Sequence, residues 1–190
     1  MDMVSYLLGK KRGGGGIPIS QVINTTVTHG LSSSGSGMWY NNLFVLEGIK
    51  NLTFTLDPDA QDGSSYFSYL FGGCKWEYMP KFVSNGEITN MELQSAFNGC
   101  SNLKELDFGG VIGTVKKMPS CFNGCSSLTK LDIRGLVMST IATSSSYQYA
   151  FNSIPDDCLI IVKNDTEKTW LTGKWANLTN VKTVAEYESE

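Results

Sequence analysis

One stretch of this chain occurs twice in close succession with small changes. SAFNGCSNLKELDFGG at residues 95–110 returns as SCFNGCSSLTKLDIRG at residues 120–135, which sets a period of 25 residues. A unit this short cannot bury a core of its own, so similar units must stack and share one. The repeat therefore predicts a stack of coils, and it constrains the fold more than any other feature of the sequence.

Weaker copies extend the repeat in both directions. YLFGGCKWEYM places Phe71 in the slot of Phe97, and YAFNSIPDDCLIIV places Phe151 in the slot of Phe122. VLEGIKNLTFTLD, which contains Leu46, is the most distant copy. The chain thus holds about five units, and the outer ones are degenerate, as expected for caps that need a polar outer face.

Recurring residue types within the unit predict the core. The Phe and Cys of the AFNGC segment should point inward from a turn or a helical half-turn, where glycine permits a backbone conformation that other residues avoid. The Leu residues that follow should point inward from a short extended segment. The predicted core of the two clear units is Phe97, Cys100, Leu103, Leu106, Phe122, Cys125, Leu128 and Leu131.

The AFxGCxxLxxLD unit resembles the BspA-type leucine-rich repeat, a class common in bacterial surface proteins and in phage proteins. The resemblance spans roughly residues 43–163 and is most specific at residues 95–135. It implies an α+β repeat solenoid, a short leucine-rich-repeat array of about five 25-residue coils. The tail resembles the segment that closes such arrays, a strand, a short helix bearing Trp170, Trp175 or both, and a final strand.

The chain is predicted to divide into four parts. Residues 1–16 form an N-terminal anchor segment and a glycine linker, and residues 17–45 form a β-rich N-terminal cap with two strands around the loop at residues 32–37. Residues 46–163 carry the BspA-like leucine-rich repeats. Residues 164–190 form the C-terminal strand-helix-strand cap.

The first residues, MDMVSYLLGKKRGGGG, resemble the short N-terminal segments of some phage tail and head-fibre proteins. Four glycines detach this apolar stretch from the body, so we expect Val4, Tyr6, Leu7 and Leu8 to fill a groove on another virion protein. The alternative is a disordered terminus. The basic residues follow the apolar run, which is the reverse of a secretory signal, and no stretch is long and apolar enough to predict a membrane span.

Composition and motifs argue against nucleic-acid binding, the common catalytic motifs and metal binding. The formal net charge of −3 gives no basic field for nucleic acid. The chain has one histidine, His29, and no phosphate-loop, G-x-S-x-G or H-E-x-x-H pattern. Asp107 and Asp132 recur with the repeat, which favours a turn or strand-end role over acid–base work. DPDAQDG at residues 57–63 lacks the final glutamate of a calcium loop and is interpreted as a surface turn. We therefore expect no enzyme, no metal and no cofactor.

The cysteines are expected to be free, buried thiols. Cys74, Cys100 and Cys125 share one repeat slot and should stack in a ladder at about 5 Å, a separation that does not exclude a disulfide. Packing explains the slot, because an odd ladder cannot fully pair and a thiol behaves as a small hydrophobe.

Aromatic residues outside the core slots are the candidate ligand contacts. Exposed aromatic side chains can stack on sugars or anchor a protein partner, and the alternative is ordinary core or cap packing. The residues proposed for ligand contact are Trp39, Tyr40, Trp76 and Tyr78, with Tyr147 and Tyr149 near the same edges.

Together these features favour a non-enzymatic, virion-associated structural or binding protein, such as a tail-fibre or head-fibre component. It would join other virion proteins through its N-terminal segment and display the repeats for host attachment or particle decoration. The expected ligand is a host surface glycan or protein, and the expected location is the phage particle. The alternative is an adhesin-type leucine-rich-repeat protein on a bacterial cell surface.

Overall fold

The computed structural model describes Asn24–Val27, Thr53–Leu56, and residues 68–69, 71–74 and 76–190. The predicted anchor segment, the glycine linker and most of the predicted N-terminal cap lie outside these residues. The described part of the chain is built from parallel sheets with few helices.

Three strands form the first sheet, β1 (Asn24–Val27), β2 (Thr53–Leu56) and β3 (Lys81–Ser84), in spatial order β1-β2-β3. Asn24 lies opposite Thr53, and Thr53 lies opposite Lys81. Each strand therefore pairs with the strand of the next unit along the chain. The part of the predicted N-terminal cap that is described thus continues the same parallel sheet.

The other two sheets are interleaved along the chain. The second contains β5 (Glu105–Asp107), β7 (Lys130–Asp132), β9 (Leu159–Val162) and β10 (Val181–Thr183), in spatial order β10-β9-β7-β5. The third contains β4 (Ile88–Glu92), β6 (Gly113–Lys117) and β8 (Leu136–Val137), in that order. All pairs are parallel, and bridges from Tyr78 to Glu105 and from Val83 to Gly110 join the first sheet to the second.

The helices of the described residues lie near the C-terminus. A 3₁₀ turn at Ser144–Ser146 precedes α1 (Asp165–Lys174), and α2 (Val184–Glu188) follows β10. The side chain of Asn164 accepts a hydrogen bond from the Glu167 amide and caps α1. Thr183 and Glu186 form a reciprocal capping box at the start of α2, which explains how so short a helix begins where it does.

A column of aromatic rings runs through the core. The rings of Phe71 and Phe97 stack at 5.4 Å between centroids, and those of Phe97 and Phe122 stack at 5.6 Å. Phe151 continues the column at 5.3 Å from Phe122, and Trp175 closes it at 4.8 Å from Phe151. One ring per unit, in register, is what stacked equivalent positions produce.

The eight residues named as repeat core are all within the interior, with exposures between 0 and 2 %. They belong to one buried hydrophobic cluster that runs from Leu56 to Val181. Burial of each leucine and phenylalanine among them contributes about 1.5–3 kcal/mol relative to solvent exposure. The leucine-rich-repeat solenoid itself stays a prediction at this point.

Candidate binding surface

The turns that carry the phenylalanines are joined by three rows of backbone hydrogen bonds. The amide of Phe97 donates to the carbonyl of Cys121 at 2.9 Å, and the amides two residues before and two residues after it donate in the same way. The same three bonds recur from the Phe71 turn to the Phe97 turn, and from the Phe122 turn to the Phe151 turn. We call this stack of four turns, at residues 69–74, 95–100, 120–125 and 149–154, the turn ladder.

Each turn of the ladder contains two left-handed residues. The position two residues after Phe is glycine with φ of 74–76° in three turns and Ser153 with φ of 60° in the fourth. The position two residues before Phe also has positive φ, although it is never glycine: it is Tyr69, Ser95, Ser120 and Tyr149. In the first three turns, both positions donate an amide to the next unit, either to its turn or to the residue just before that turn.

The turn ladder presents a polar, uncharged surface. The side chains that reach solvent beside the buried phenylalanines are amides, hydroxyls and phenols. Asn123 donates from its Nδ2 to Oδ1 of Asn98 at 3.1 Å, and Asn152 Oδ1 accepts from Nε1 of Trp175 at 3.4 Å. We define the turn surface as Tyr69, Gln94, Ser95, Asn98, Ser120, Asn123, Gln148, Tyr149 and Asn152.

Two tyrosines stand at the ends of the turn surface. Tyr69 is 40 % exposed and Tyr149 is 53 % exposed, and they are two of the three large apolar or aromatic residues that are exposed in the described part of the chain. Gln94 donates from Nε2 to the Tyr69 hydroxyl, which holds that ring in place. Three steps of the ladder separate the tyrosines, so their backbones lie about 14 Å apart at ordinary strand spacing.

The structure corrects one of the predicted ligand contacts. Trp76 is only 2 % exposed, and its ring lies 6.4 Å from that of Phe71, so its indole belongs to the core and is not offered to a ligand. It follows the Cys74 turn on the way into β3, a place for which the repeat alignment has no core slot. Its Nε1 is buried without a hydrogen-bond partner.

Apart from the exposed Tyr149, the other aromatic residues predicted to contact a ligand are partly buried or lie outside the described residues. Tyr78 is half-buried against the core, and the ammonium group of Lys104 lies 5.7 Å from the centre of its ring. Trp39 and Tyr40 lie outside the described residues, as do the predicted anchor residues Val4, Tyr6, Leu7 and Leu8. Tyr147 packs against Trp170 and Trp175 in the C-terminal cap.

The thiols serve packing. All five cysteines are free and buried, as expected. Cys100 Sγ donates to the carbonyl of Phe71 at 3.0 Å, and Cys125 Sγ donates to that of Phe97 at 3.3 Å, so each of these thiols ties its turn to the preceding one. Burial raises the pKa of Cys121 well above its ordinary value and raises the pKa of Cys158 to about 12. Such thiols are poor nucleophiles at neutral pH.

The recurring aspartates end their strands. Asp107 accepts a hydrogen bond from the Gly109 amide at 3.0 Å, and Asp132 accepts one from the Arg134 amide at 3.3 Å. These bonds to the residue two positions on are Asx-type turns, which agrees with the strand-end role predicted for both carboxylates. The Arg134 guanidinium also binds Asp132 through two nitrogens.

Glu167 is a buried carboxylate whose role the sequence pattern does not indicate. It is 2 % exposed on α1 and accepts from the amides of Met138 and Ser139 at 2.8 and 3.0 Å, and from the Ser139 hydroxyl at 2.6 Å. These donors come from the chain just after β8, so Glu167 covers the edge of the third sheet. An acidic residue three positions after Asn164 was the one signal, and it points only to capping.

Within the described residues, no group of three or more acidic, cysteine or histidine side chains is arranged to hold a metal ion. The acidic stretch at residues 57–63 and His29 are outside that part of the chain. No helix there is long and apolar enough to cross a membrane.

No protein-family model matches this chain, and neither a curated protein nor a solved structure matches it.

Proposed function

We propose that this chain is a non-enzymatic, virion-associated protein of a phage, in which a leucine-rich-repeat solenoid contacts an uncharged host surface glycan through the turn surface. The observation that carries the binding role is the turn surface, because it combines a fixed backbone with a row of uncharged polar and aromatic side chains. The location on a virion rests on the resemblance of the N-terminal residues to phage fibre proteins.

The chemistry of the turn surface suits a neutral sugar polymer. Asn, Gln and Ser side chains supply both donors and acceptors for sugar hydroxyls, and tyrosine rings supply flat apolar faces on which sugar rings can stack. None of the nine residues is charged, so an anionic polymer would find no cation among them. Tyr, Ser and Asn are also enriched in the antigen-binding loops of antibodies, where they supply aromatic contact area and hydrogen bonds.

Rigidity favours binding by this surface. The three rows of turn amides that face the next unit already have backbone acceptors, so little chain entropy remains to be lost when a ligand binds. The surface repeats at the spacing of the strands, and a polymer with repeating units can follow it across several turns. The thiols and the recurring aspartates are engaged in packing and turns, which supports the non-enzymatic assignment.

The test is binding of the purified full-length protein to isolated bacterial cell walls. The variants Tyr69→Asn and Tyr149→Asn remove the two rings, and asparagine tolerates the left-handed backbone at both positions. Each variant should weaken binding by about tenfold, the loss of about 1–2 kcal/mol expected for an aromatic contact. Ile112→Ala is the matched control, since Ile112 is 52 % exposed outside the turn surface.

Pretreatment of the walls identifies the receptor class. Periodate, which cleaves sugar diols, should abolish binding, whereas protease should leave it intact. Loss of binding after protease alone would show a protein receptor and contradict the glycan assignment. If the tyrosine variants bind as tightly as the control, the turn surface does not contact the ligand.

A further inference from the structure

Three Asn-Gly dipeptides occur in the described part of the chain, at Asn85-Gly86, Asn98-Gly99 and Asn123-Gly124. This dipeptide is the one most prone to spontaneous deamidation, because glycine has no side chain to hinder attack by its own amide. Three copies of one dipeptide in different surroundings allow their reactivities to be compared directly.

The reaction needs only water. The backbone nitrogen of the glycine attacks Cγ of the asparagine side chain, the new N–Cγ bond closes a succinimide ring, and the side-chain nitrogen leaves as ammonia while the glycine amide loses its proton. Water then opens the ring at either carbonyl, which gives aspartate or isoaspartate. The step therefore requires a glycine amide that is free to lose its proton and a side chain that is free to turn towards it.

In two of the dipeptides, at residues 98–99 and 123–124, the turn ladder engages both the glycine amide and the asparagine side chain. The amide of Gly99 donates to the carbonyl of Asn123 at 2.7 Å, and the amide of Gly124 donates to that of Asn152 at 2.9 Å. The side chains of Asn98 and Asn123 are hydrogen-bonded to each other. Attack at either position must wait until the ladder opens locally.

The third dipeptide lies in the bend between β3 and β4, outside the ladder. The side chain of Asn85 is exposed and has no hydrogen-bond partner among the described residues. Within those same residues the Gly86 amide has no acceptor. The backbone amide of Asn85 donates to the carbonyl of Leu56 at 2.9 Å.

We propose that Asn85 is a site of spontaneous covalent modification, and that Asn98 and Asn123 are protected from the same reaction by the turn ladder. Conversion adds one negative charge to the formal net charge of −3, two residues from the exposed Glu87. Isoaspartate also lengthens the backbone of the bend by one carbon. Ser84, the preceding residue, accepts from the Ile112 amide at 2.9 Å and donates its own amide to Gly110, so the change acts where two units are joined.

The experiment incubates the full-length protein at neutral to mildly alkaline pH and follows each dipeptide by peptide mapping with mass spectrometry. Asn85 should convert at a rate close to that of a synthetic peptide of residues 82–88. Conversion at Asn98 and Asn123 should be slower by about tenfold or more, since tenfold protection needs an opening free energy of only about 1.4 kcal/mol. Isoaspartate should exceed aspartate among the products.

Two controls separate the ladder from the local sequence. In denaturant all three dipeptides should convert at similar rates, because the ladder is then absent. Asn85→Gln should remove the acidic species that native protein accumulates on ion exchange. Equal native rates at the three positions, or an unreactive Asn85 under conditions that convert the peptide, would overturn the proposal.

Discussion

At the scale of single residues, the turn ladder depends on left-handed backbone conformations, and some of the residues that adopt them are not glycine. The glycines of the FNGC segments were recognisable in the sequence, and they have positive φ. Ser95 and Ser120 have positive φ as well, at a cost of about 1–2 kcal/mol each, yet serine gives no sequence signal for this. The regular hydrogen bonds on either side hold them there, and such tertiary constraint cannot be deduced from a local sequence.

Two glycine-to-alanine changes should shift stability in opposite directions. Gly124 has φ of 76°, so Gly124→Ala should lower the free energy of unfolding by about 1–2 kcal/mol. Gly173 lies in α1 without a positive φ, and a Cβ added there would meet no atom within 4 Å, so Gly173→Ala should raise it by up to about 1 kcal/mol. Urea unfolding measures the free energy of unfolding of both variants. A higher value for Gly124→Ala than for the unsubstituted protein would contradict the left-handed conformation at Gly124.

Cys158 should make the protein less stable in alkali. Burial, helped by the neighbouring Asp157 carboxylate, raises the pKa of the folded-state thiol to about 12 from its ordinary 9.0. Above pH 9 the unfolded chain therefore binds fewer protons than the folded one, and the free energy of unfolding falls as the pH rises towards the folded-state pKa of this thiol.

Cys158→Ala removes that contribution. Denaturant unfolding under reducing conditions should give equal pH slopes for both proteins below pH 9, and a shallower decline for the variant above it. Parallel declines over the whole alkaline range would mean that Cys158 is not desolvated in the folded state.

At the scale of elements, the repeat pattern indicates the strands whose sequences resemble one another and gives no signal for the strands whose sequences differ. The leucines of LKELDF and LTKLDI precede or lie in β5 and β7, where the strand signal is repeated. The third sheet uses unlike sequences, ITNME in β4 and GTVKK in β6, so no repeat pointed to it. The helix α2 also lies outside the repeat pattern, and its one sequence signal is TVAE at residues 183–186, which has the form of a capping box.

The contact of α1 with the end of the third sheet is tested at Glu167. Glu167→Ala removes the acceptor of the buried Met138 amide and of the half-buried Ser139 amide, and this should cost about 1.5–3 kcal/mol. Thr166→Ala, at an exposed position on the same helix, should change the free energy of unfolding by less than about 0.5 kcal/mol. Similar small losses for both variants would show that the carboxylate does not anchor α1.

At the scale of the whole molecule, one hydrophobic cluster and one aromatic column link the described units, and the C-terminal residues fold back onto them. Arg134 binds Glu188 at 3.0 Å, and Lys130 donates to the Tyr187 hydroxyl at 3.0 Å, so α2 is tied to the region of β7. The repeat places Asn98 and Asn123 in equivalent slots, but it does not indicate that exposed tyrosines, Tyr69 and Tyr149, end the row that these residues form. The burial of Trp76 against Phe71 likewise follows from packing and is not visible in the repeat slots.

The proposed anchor is tested by removing it. A chain that starts at Ile17 should fold and melt like the full-length protein, because the four glycines at residues 13–16 are predicted to form a flexible linker between the anchor and the body. It should fail to join the particle that full-length protein joins, since Leu7 and Leu8 would no longer be available to a partner groove. Normal assembly of the truncated chain would place the attachment site on the repeats or their caps.

If successive units stack in register through their turns, NMR couplings across the hydrogen bonds between turns should detect the stacking. In labelled protein the Gly99 amide should correlate with the carbonyl carbon of Asn123, and the Gly73 amide with that of Asn98. These two correlations join residues one repeat apart and have no local explanation. Correlation of either amide with a carbonyl of its own turn would contradict the stacked arrangement and, with it, the turn surface on which the proposed function depends.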